Sequence, residues 1–256
     1  MPLFALLLEY DGTGFVGWQR QDNGVSIQQV LEEAAARLTD GVPVVATVAG
    51  RTDAGVHAQA QVVGLPVPRD WPAEKLREAL NFHMKPHRVV VVRAALAAPG
   101  WNPRFSAIGR AYRYCILNRR ARPGLLEGRV WHVQHRLDAE RMHAAAQLLL
   151  GRHDFTSFRA ASCQAKSPIR TLDRLDVERL GDVIEVTVEA RSFLHHQVRN
   201  MVGTLRLVGD GSWEPGRVAT VLAACDRSTA GPTAPSQGLC MTGVRYREDP
   251  FAGARS

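Results

Sequence analysis

One aspartate in a short loop rich in glycine is the first candidate for chemistry in this sequence. The segment GRTDAGVHA, Gly50 to Ala58, places Asp53 between two glycines and close to Arg51. Glycine permits tight backbone geometry and close approach of a substrate, and a neighbouring guanidinium favours the ionised form of a carboxyl group. An ionised carboxylate can act as a nucleophile or as a general base. The plainer interpretation is that Asp53 only organises a turn.

A second set of candidate side chains lies in a segment predicted to be a helix over 194–208. Its basic residues recur at spacings of three, four and seven, which can place charge along one side of a helix. They are His195, His196, Arg199 and Arg206. We interpret this side as facing phosphate or a carboxylate, and a merely solvated basic face is the alternative.

The segment RAYRY, Arg110 to Tyr114, alternates as a strand does, so that Tyr112 and Tyr114 share a face. A tyrosine ring on such a face can stack on a nucleic-acid base. Packing in the core is the alternative, for Tyr114 above all. The phenylalanines of HDFTSFR, residues 153–159, are expected in the core.

The segment GTGFVG, Gly12 to Gly17, has the spacing of a dinucleotide-binding fingerprint. Its context does not fit, because WQRQDNGV separates the third glycine from the next helix and the following strand ends without an acidic residue for a ribose. We therefore predict a glycine-rich turn and no nucleotide cofactor. Trp18, Gln19 and Arg20 are expected to be exposed and to contact RNA.

Metal chemistry has no support in the sequence. The four cysteines are scattered singly, with no CxxC pair and no zinc-ligand spacing to a histidine, which predicts reduced packing residues. No HExxH pattern exists, and the clustered carboxylates of a metal-dependent nuclease or hydrolase are missing. The sequence thus predicts no metal and no cofactor.

The balance of charge indicates a polyanionic partner. The formal net charge is +7, and all but three of the 32 basic residues are arginines. A basic surface attracts phosphate, although base bias in the genome explains the arginine excess equally well. Apolar runs are too short to span a bilayer, and the N-terminal run lacks the basic residues that precede it in a signal peptide. We therefore expect a cytoplasmic protein without a membrane segment.

The elements that must position these candidates fall into two halves of similar order. Helix 27–38 opens with Ser26 and Gln29 in capping-box spacing, and Gly181-Asp182 is a strong hairpin signal. The first half has strands at 3–10, 43–49, 58–65 and 88–96 and helices at 27–38 and 72–82. The second half has strands at 108–117, 170–180, 183–190 and 239–246 and helices at 139–150, 194–208 and 215–225.

This order predicts an α+β fold of two tandem ferredoxin-like βαββαβ units, with mainly antiparallel sheets and an RNA-binding cleft between them. The N-terminal unit, 1–105, carries the aspartate loop. The C-terminal unit, 106–256, carries the tyrosine and arginine candidates.

Several segments, taken together, resemble the tRNA pseudouridine synthase A family over nearly the whole chain and in the family's order. They are EYDGTGFVGWQRQ, AGRTDAGVHA, RFSAIGRAYRY, HDFTSFR, CQAKSPIRT, FLHHQVRNMVG and GLCMTGVRY. The resemblance implies that Asp53 is the catalytic aspartate, that Tyr112 packs against the target base and that Arg199 pairs with the aspartate. Met241 and Thr242 stand where family members are often more aliphatic, at the floor of the pocket.

The resemblance also implies an isomerase that converts uridine to pseudouridine in the anticodon stem-loop of tRNA, acts as a homodimer and needs no cofactor. A non-catalytic RNA-binding protein or RNA chaperone is the main alternative, and it leaves Asp53 without a role. The residues leave open whether Asp53 attacks the base, attacks the sugar or removes a ribose proton. The expected RNA contacts are Tyr112, Arg51, Arg20, His57, His195, His196, Arg206 and Arg110.

Overall fold

The computed structural model describes residues 1–39, 41–68 and 71–252, which form two compact units. One unit consists of Met1–Arg110 together with Met241–Ser256, and the other of Ala111–Cys240. The predicted division, 1–105 and 106–256, assigns the end of the chain to the second unit instead. The unit that the end of the chain joins is decided by contacts between residues far apart in sequence. The order of the elements does not reveal such contacts.

The first unit follows the predicted order βαββαβ. Its elements are β1 (Leu3–Tyr10), α1 (Ile27–Ala36), β2 (Thr47–Val48), β3 (His57–Pro66), α2 (Ala73–His83) and β4 (Val89–Leu96). Strand β1 is central and pairs antiparallel with both β3 and β4, and β2 pairs antiparallel with β3. Strand β2 is much shorter than predicted, since the sequence predicts a strand over residues 43–49.

Both faces of β1 are covered, which explains its nearly uninterrupted apolar sequence. Phe4, Leu6 and Leu8 are buried. On the other side Ala5 belongs to a small cluster with Phe251. A hydrogen bond of 2.7 Å from the Arg93 guanidinium to the Phe251 carbonyl holds this closing segment in the first unit.

The first helix begins where its capping residues predict. The side chain of Ser26 accepts a hydrogen bond of 3.1 Å from the backbone N–H of Gln29, which satisfies one of the free N–H groups of the first turn. Ile27, Val30 and Leu31 lie on its buried side. The spacing of these apolar residues fixes which face of α1 packs inward.

The second unit contains more elements than the sequence predicts. Strands β5 (Ala107–Leu117) and β10 (Leu239–Tyr246) each run across a junction between the units. Between them lie β6 (Trp131–His132), α3 (Ala139–Gln147), β7 (Gly151–Asp154), β8 (Ile169–Leu180), β9 (Val183–Ala190), α4 (Gln197–Gly209) and α5 (Arg217–Ala224). The short strands β6 and β7 are absent from the prediction.

The strands pair mainly antiparallel, so the architecture is α+β. Strand β8 pairs antiparallel with β7 and with β9, and the Gly181-Asp182 turn joins β8 to β9 as predicted. The short β6 pairs parallel with β5. Among the described residues, no helix has both the length and the apolar character that crossing a membrane requires.

Candidate active site

The loop that carries Asp53 connects β2 to β3 in the first unit, and its backbone is anchored at both ends. The N–H of Trp18 donates to the carbonyl of Thr52 at 3.0 Å, and the N–H of Gly55 donates to the carbonyl of Phe15 at 3.3 Å. A third bond, from the N–H of Val56 to the carbonyl of Asp53 at 3.1 Å, closes the turn. Asp53 itself is half-buried.

The glycine-rich segment packs directly behind this loop. A Cβ atom added at Gly12 would lie 2.1 Å from the carbonyl oxygen of Val56, and one at Gly17 would lie 2.7 Å from that of Thr52. Gly17 also has a φ of 104°, which disfavours any other residue. The segment GTGFVG is therefore a turn whose glycines let two backbones approach closely.

Buried polar side chains on neighbouring strands form hydrogen bonds with the aspartate loop. The hydroxyl of Tyr10 lies 2.8 Å from the hydroxyl of Thr52, and the Gln61 amide donates to the carbonyl of Gly50 at 2.7 Å. Gln61 is fully buried, although polar residues that alternate with apolar ones along a strand usually lie on its exposed face. Its amide is stabilised inside because the loop supplies acceptors, and a strand pattern cannot show this.

Arg110, predicted as an RNA contact, points instead into the first unit. Its side chain is buried. The Nη2 atom donates to the carbonyls of Ala49 and Arg104, each at 2.8 Å, and Nε donates to Ala49 at 3.3 Å. Ala49 stands immediately before the aspartate loop, so the guanidinium fixes the entry to that loop.

His57, also predicted to contact RNA, is buried at the end of the loop. Its Nδ1 lies 3.0 Å from the backbone N of Gly12 and 3.1 Å from a carboxylate oxygen of Asp11. Because the N–H of Gly12 is directed at Nδ1, we assign Nδ1 as an acceptor. His57 thus ties the loop to the glycine-rich segment.

Asp11 holds the same segment in place through its carboxylate. It accepts hydrogen bonds from the backbone of Thr13 at 3.0 Å and from the Arg88 guanidinium at 3.1 Å. Burial by itself raises the pKa of Asp11, but the Thr13 and Arg88 hydrogen bonds outweigh burial and lower the pKa to about 2. The segment therefore carries a carboxylate that is ionised at neutral pH.

Of the residues that follow the glycine-rich segment and are expected to be exposed, only some are exposed. Trp18 is 1% exposed and packs near Tyr10, with ring centroids 6.5 Å apart, so its predicted exposure is wrong. Removing the large apolar indole from water stabilises the fold. Arg20 is exposed, 3.7 Å from Glu32 and 3.6 Å from Glu33. Arg51, beside Asp53, is also exposed.

In the second unit the two histidines precede the helix instead of lying on it. Helix α4 begins at Gln197, and His196 adopts a left-handed backbone with a φ of 61°. The histidine rings lie 4.0 Å apart, and His195 Nδ1 is 3.2 Å from the hydroxyl of Ser162. The predicted start of the helix at 194 is therefore wrong, since the left-handed residue interrupts the helical backbone.

Arg199 and Arg206 do lie on α4, as predicted. The Nε of Arg199 donates to the carbonyl of Ala234 at 2.8 Å, and the N–H of Ala234 donates back to the carbonyl of Arg199 at 3.1 Å. Arg206 forms an ion pair of 3.1 Å with Asp210, one turn further along. The hydrogen bond from Nε to Ala234 fixes the side chain of Arg199, which is half-buried.

The two tyrosines of β5 differ in their surroundings. Tyr112 is 8% exposed and meets Phe193 edge to face, with ring centroids 5.3 Å apart. Tyr114 is fully buried, and its hydroxyl donates to the carbonyl of Pro235 at 2.7 Å. Burial also raises the pKa of Tyr114. Tyr114 is a core residue, which leaves Tyr112 as the candidate for base contact.

The sequence model of the tRNA pseudouridine synthase family matches residues 7–106 and 145–247. The chain belongs to this family. It is 67% identical to tRNA pseudouridine synthase A of Acidiphilium cryptum, over 98% of this chain and 99% of the relative. It is 58% identical to the protein of that name from Paramagnetospirillum magneticum, over 96% of each chain.

The two matched stretches of this pseudouridine synthase family contain most of the candidate site residues. Asp53 lies in the first and Arg199 in the second, whereas Tyr112 falls in the interval 107–144 between them. Tyr10 and Gln61, which sequence reasoning missed, also lie in the first stretch. No local signal marks them, because a polar residue on a strand can be either exposed or buried against a partner that is remote in sequence.

Proposed function

We propose that this member of the family converts uridine to pseudouridine in the anticodon stem-loop of tRNA, with Asp53 as the catalytic carboxylate. The observation that carries the proposal is the anchored aspartate loop. Three backbone hydrogen bonds and a buried Tyr10–Thr52 contact hold it in one conformation. A preorganised carboxylate is what catalysis by a single acidic group requires.

The chemistry of the reaction suits this arrangement. The N-glycosidic bond breaks, the uracil turns and a bond forms between its carbon 5 and the sugar, so nothing is released and no oxidation state changes. One ionised carboxylate can act in this exchange as nucleophile or base. The proposed reaction therefore needs neither a metal ion nor a cofactor.

Tyr112 and Arg199 are proposed to complete the site. The ring of Tyr112, held by Phe193, would pack against the detached uracil, and the fork of Arg199 would pair with the Asp53 carboxylate. This pair would join residues of different units, so it requires the two units, which we propose to be tandem ferredoxin-like units, to face one RNA-binding cleft.

The RNA must be held firmly because the target base has to leave its stack, which costs a few kcal/mol. Exposed or half-buried basic side chains are proposed to contact its backbone: Arg51, Arg20, His195, His196 and Arg206. His57 and Arg110 are proposed to act on the aspartate loop instead. We further propose that the enzyme works as a homodimer in the cytoplasm.

The decisive experiment incubates the protein with an unmodified tRNA transcript and maps pseudouridine chemically. We expect modification in the anticodon stem-loop by the wild-type chain and none by Asp53→Asn. A non-catalytic RNA-binding protein would bind the transcript and leave every uridine unchanged. That result would refute the proposal.

A further inference from the structure

An open and strongly basic pocket lies in the second unit, at the end of β5. Its volume is about 440 Å³. Seven side chains from three segments line it: Asn118, Arg119, Arg120, Gln134, His135, Arg136 and Arg179. All of these except Arg179 fall in the interval 107–144, between the two stretches that the family model matches.

A buried amide holds the walls of this pocket together. The Asn118 side chain donates to the carbonyls of Val133 at 2.9 Å and His135 at 2.6 Å, and its oxygen accepts from the N–H of Leu137 at 3.0 Å. The Arg179 guanidinium closes the frame, because it donates to the same amide oxygen at 2.8 Å and to the Leu137 carbonyl at 2.7 Å. The pocket is thus a built structure in which one arginine is fixed.

The remaining positive charge of the pocket is not balanced. Arg119 forms an ion pair of 3.2 Å with Asp182, which stands outside the lining. Within 1–39, 41–68 and 71–252, no hydrogen bond or ion pair engages the side chain of Arg120 or Arg136, and both residues are exposed. Two guanidinium groups therefore remain available for an anion.

The lining suits phosphate better than a small organic ligand. Ligand pockets are mostly apolar with a few polar groups, whereas here every lining side chain is polar and none is a carboxylate. The planar fork of arginine matches the oxygen geometry of phosphate. The pocket also lies far from the proposed site, since the six residues from Tyr112 to Asn118 along an extended chain span roughly 20 Å.

We propose that this pocket binds a backbone phosphate of the tRNA substrate, about 20 Å from the proposed site of isomerisation. The choice of RNA as the source of the phosphate rests on the proposed function. Such a contact adds affinity and fixes the register of the RNA, without contact to the reacting uridine.

The test compares two double variants that remove the same charge. Arg120→Gln with Arg136→Gln alters the pocket. Arg152→Gln with Arg217→Gln is the control, because Arg152 lies on β7, which pairs with the opposite end of β8 from Arg179, and Arg217 begins α5. Both control residues are exposed.

Binding of a labelled tRNA transcript is measured over a range of KCl concentrations, and folding of each variant is checked by its melting temperature. We expect the pocket variant to bind about tenfold more weakly near 0.1 M salt and to lower the log–log salt slope by about 1, the value for one phosphate contact. The control should change both quantities much less. The single-turnover rate at saturating enzyme should stay at the wild-type value.

Two results would overturn the proposal: wild-type affinity and slope in the pocket variant, or an equal loss in the control, which would indicate net charge alone. A separate arm adds inorganic phosphate. If phosphate raised the melting temperature of the wild type but not of the pocket variant, while RNA affinity stayed equal, the site would serve a free anion. Failure of isomerisation by the wild type would refute the proposed function and leave the binding test intact.

Discussion

The Arg110 guanidinium donates to the carbonyl oxygen of Ala49 from both Nη2, at 2.8 Å, and Nε, at 3.3 Å. Ala49 immediately precedes the loop that carries Asp53, and the same guanidinium also reaches the carbonyl of Arg104 at 2.8 Å. A buried charge with several acceptors is costly to disturb. Arg110 is therefore a positioning residue for the proposed catalytic loop.

Replacing Arg110 with Gln should lower kcat at least tenfold and leave tRNA affinity nearly unchanged. Loss of a charged hydrogen bond should also cost about 1.5–3 kcal/mol of the free energy of unfolding. Arg110→Lys should recover part of kcat because it keeps the charge. Arg113→Gln, on the same strand but more exposed, is the control. A weaker tRNA affinity with an unchanged kcat would show that Arg110 contacts RNA after all.

Two neighbouring glycines should respond differently to substitution by alanine. Gly17→Ala meets the Thr52 carbonyl oxygen at 2.7 Å, whereas the space around Gly14 is empty to 4 Å, and both have a positive φ. Gly14→Ala should therefore cost about 1 kcal/mol of stability, and Gly17→Ala more than that together with most of the activity. Urea unfolding and single-turnover assays measure the two effects. Equal losses at both positions would contradict a supporting role for Gly17.

Asp53→Asn should abolish isomerisation and leave tRNA affinity close to that of the wild type. The carboxylate is assigned to the chemistry, and it repels phosphate in the bound RNA. Asp22→Asn is the control for the change of charge, because Asp22 is exposed and lies outside the aspartate loop. Measurable turnover by Asp53→Asn would exclude the proposed role of the carboxylate.

Arg199 and Arg206 lie on one helix, and we expect different effects from them. Arg199→Ala should slow single turnover at least a hundredfold, or by roughly 3 kcal/mol, because an unpaired Asp53 carboxylate would remain in the dry site. Arg199→Lys should recover only part of the rate. Arg206→Ala should mainly weaken binding and reduce the salt slope. If Arg199→Ala kept a normal chemical rate, the proposed Asp53–Arg199 pair would have to be abandoned.

The Asp11 carboxylate should make stability depend on pH at the acidic end. Its folded pKa of about 2 lies below the ordinary value of 3.8, so its contribution is present above about pH 4 and is lost as the pH falls towards 2. Because its partner Arg88 is exposed, we expect Asp11 to contribute only about 1–2 kcal/mol to the free energy of unfolding. Urea unfolding of the wild type and Asp11→Asn should differ by this amount at pH 7 and converge as the pH approaches 2. A difference that does not change with pH would contradict the assignment.

The local features of this protein follow from short stretches of its sequence. The order βαββαβ of the first unit, the cap at Ser26 and the Gly181-Asp182 hairpin follow from short-range patterns of capping, turn and apolar residues. The aspartate loop is recognisable because its glycines and charged residues adjoin each other in the chain. The resemblance to the family depends on such contiguous segments.

The surroundings of individual polar side chains depend instead on contacts made in the folded protein. Gln61 and His57 are buried because backbone groups remote in sequence form hydrogen bonds with them, and Trp18 is buried because other elements cover its ring. The inward direction of Arg110 depends on the carbonyl of Ala49, which is 61 residues away along the chain. Burial and hydrogen-bond partners are set by contacts remote in sequence, and a local pattern of polar and apolar residues does not encode them.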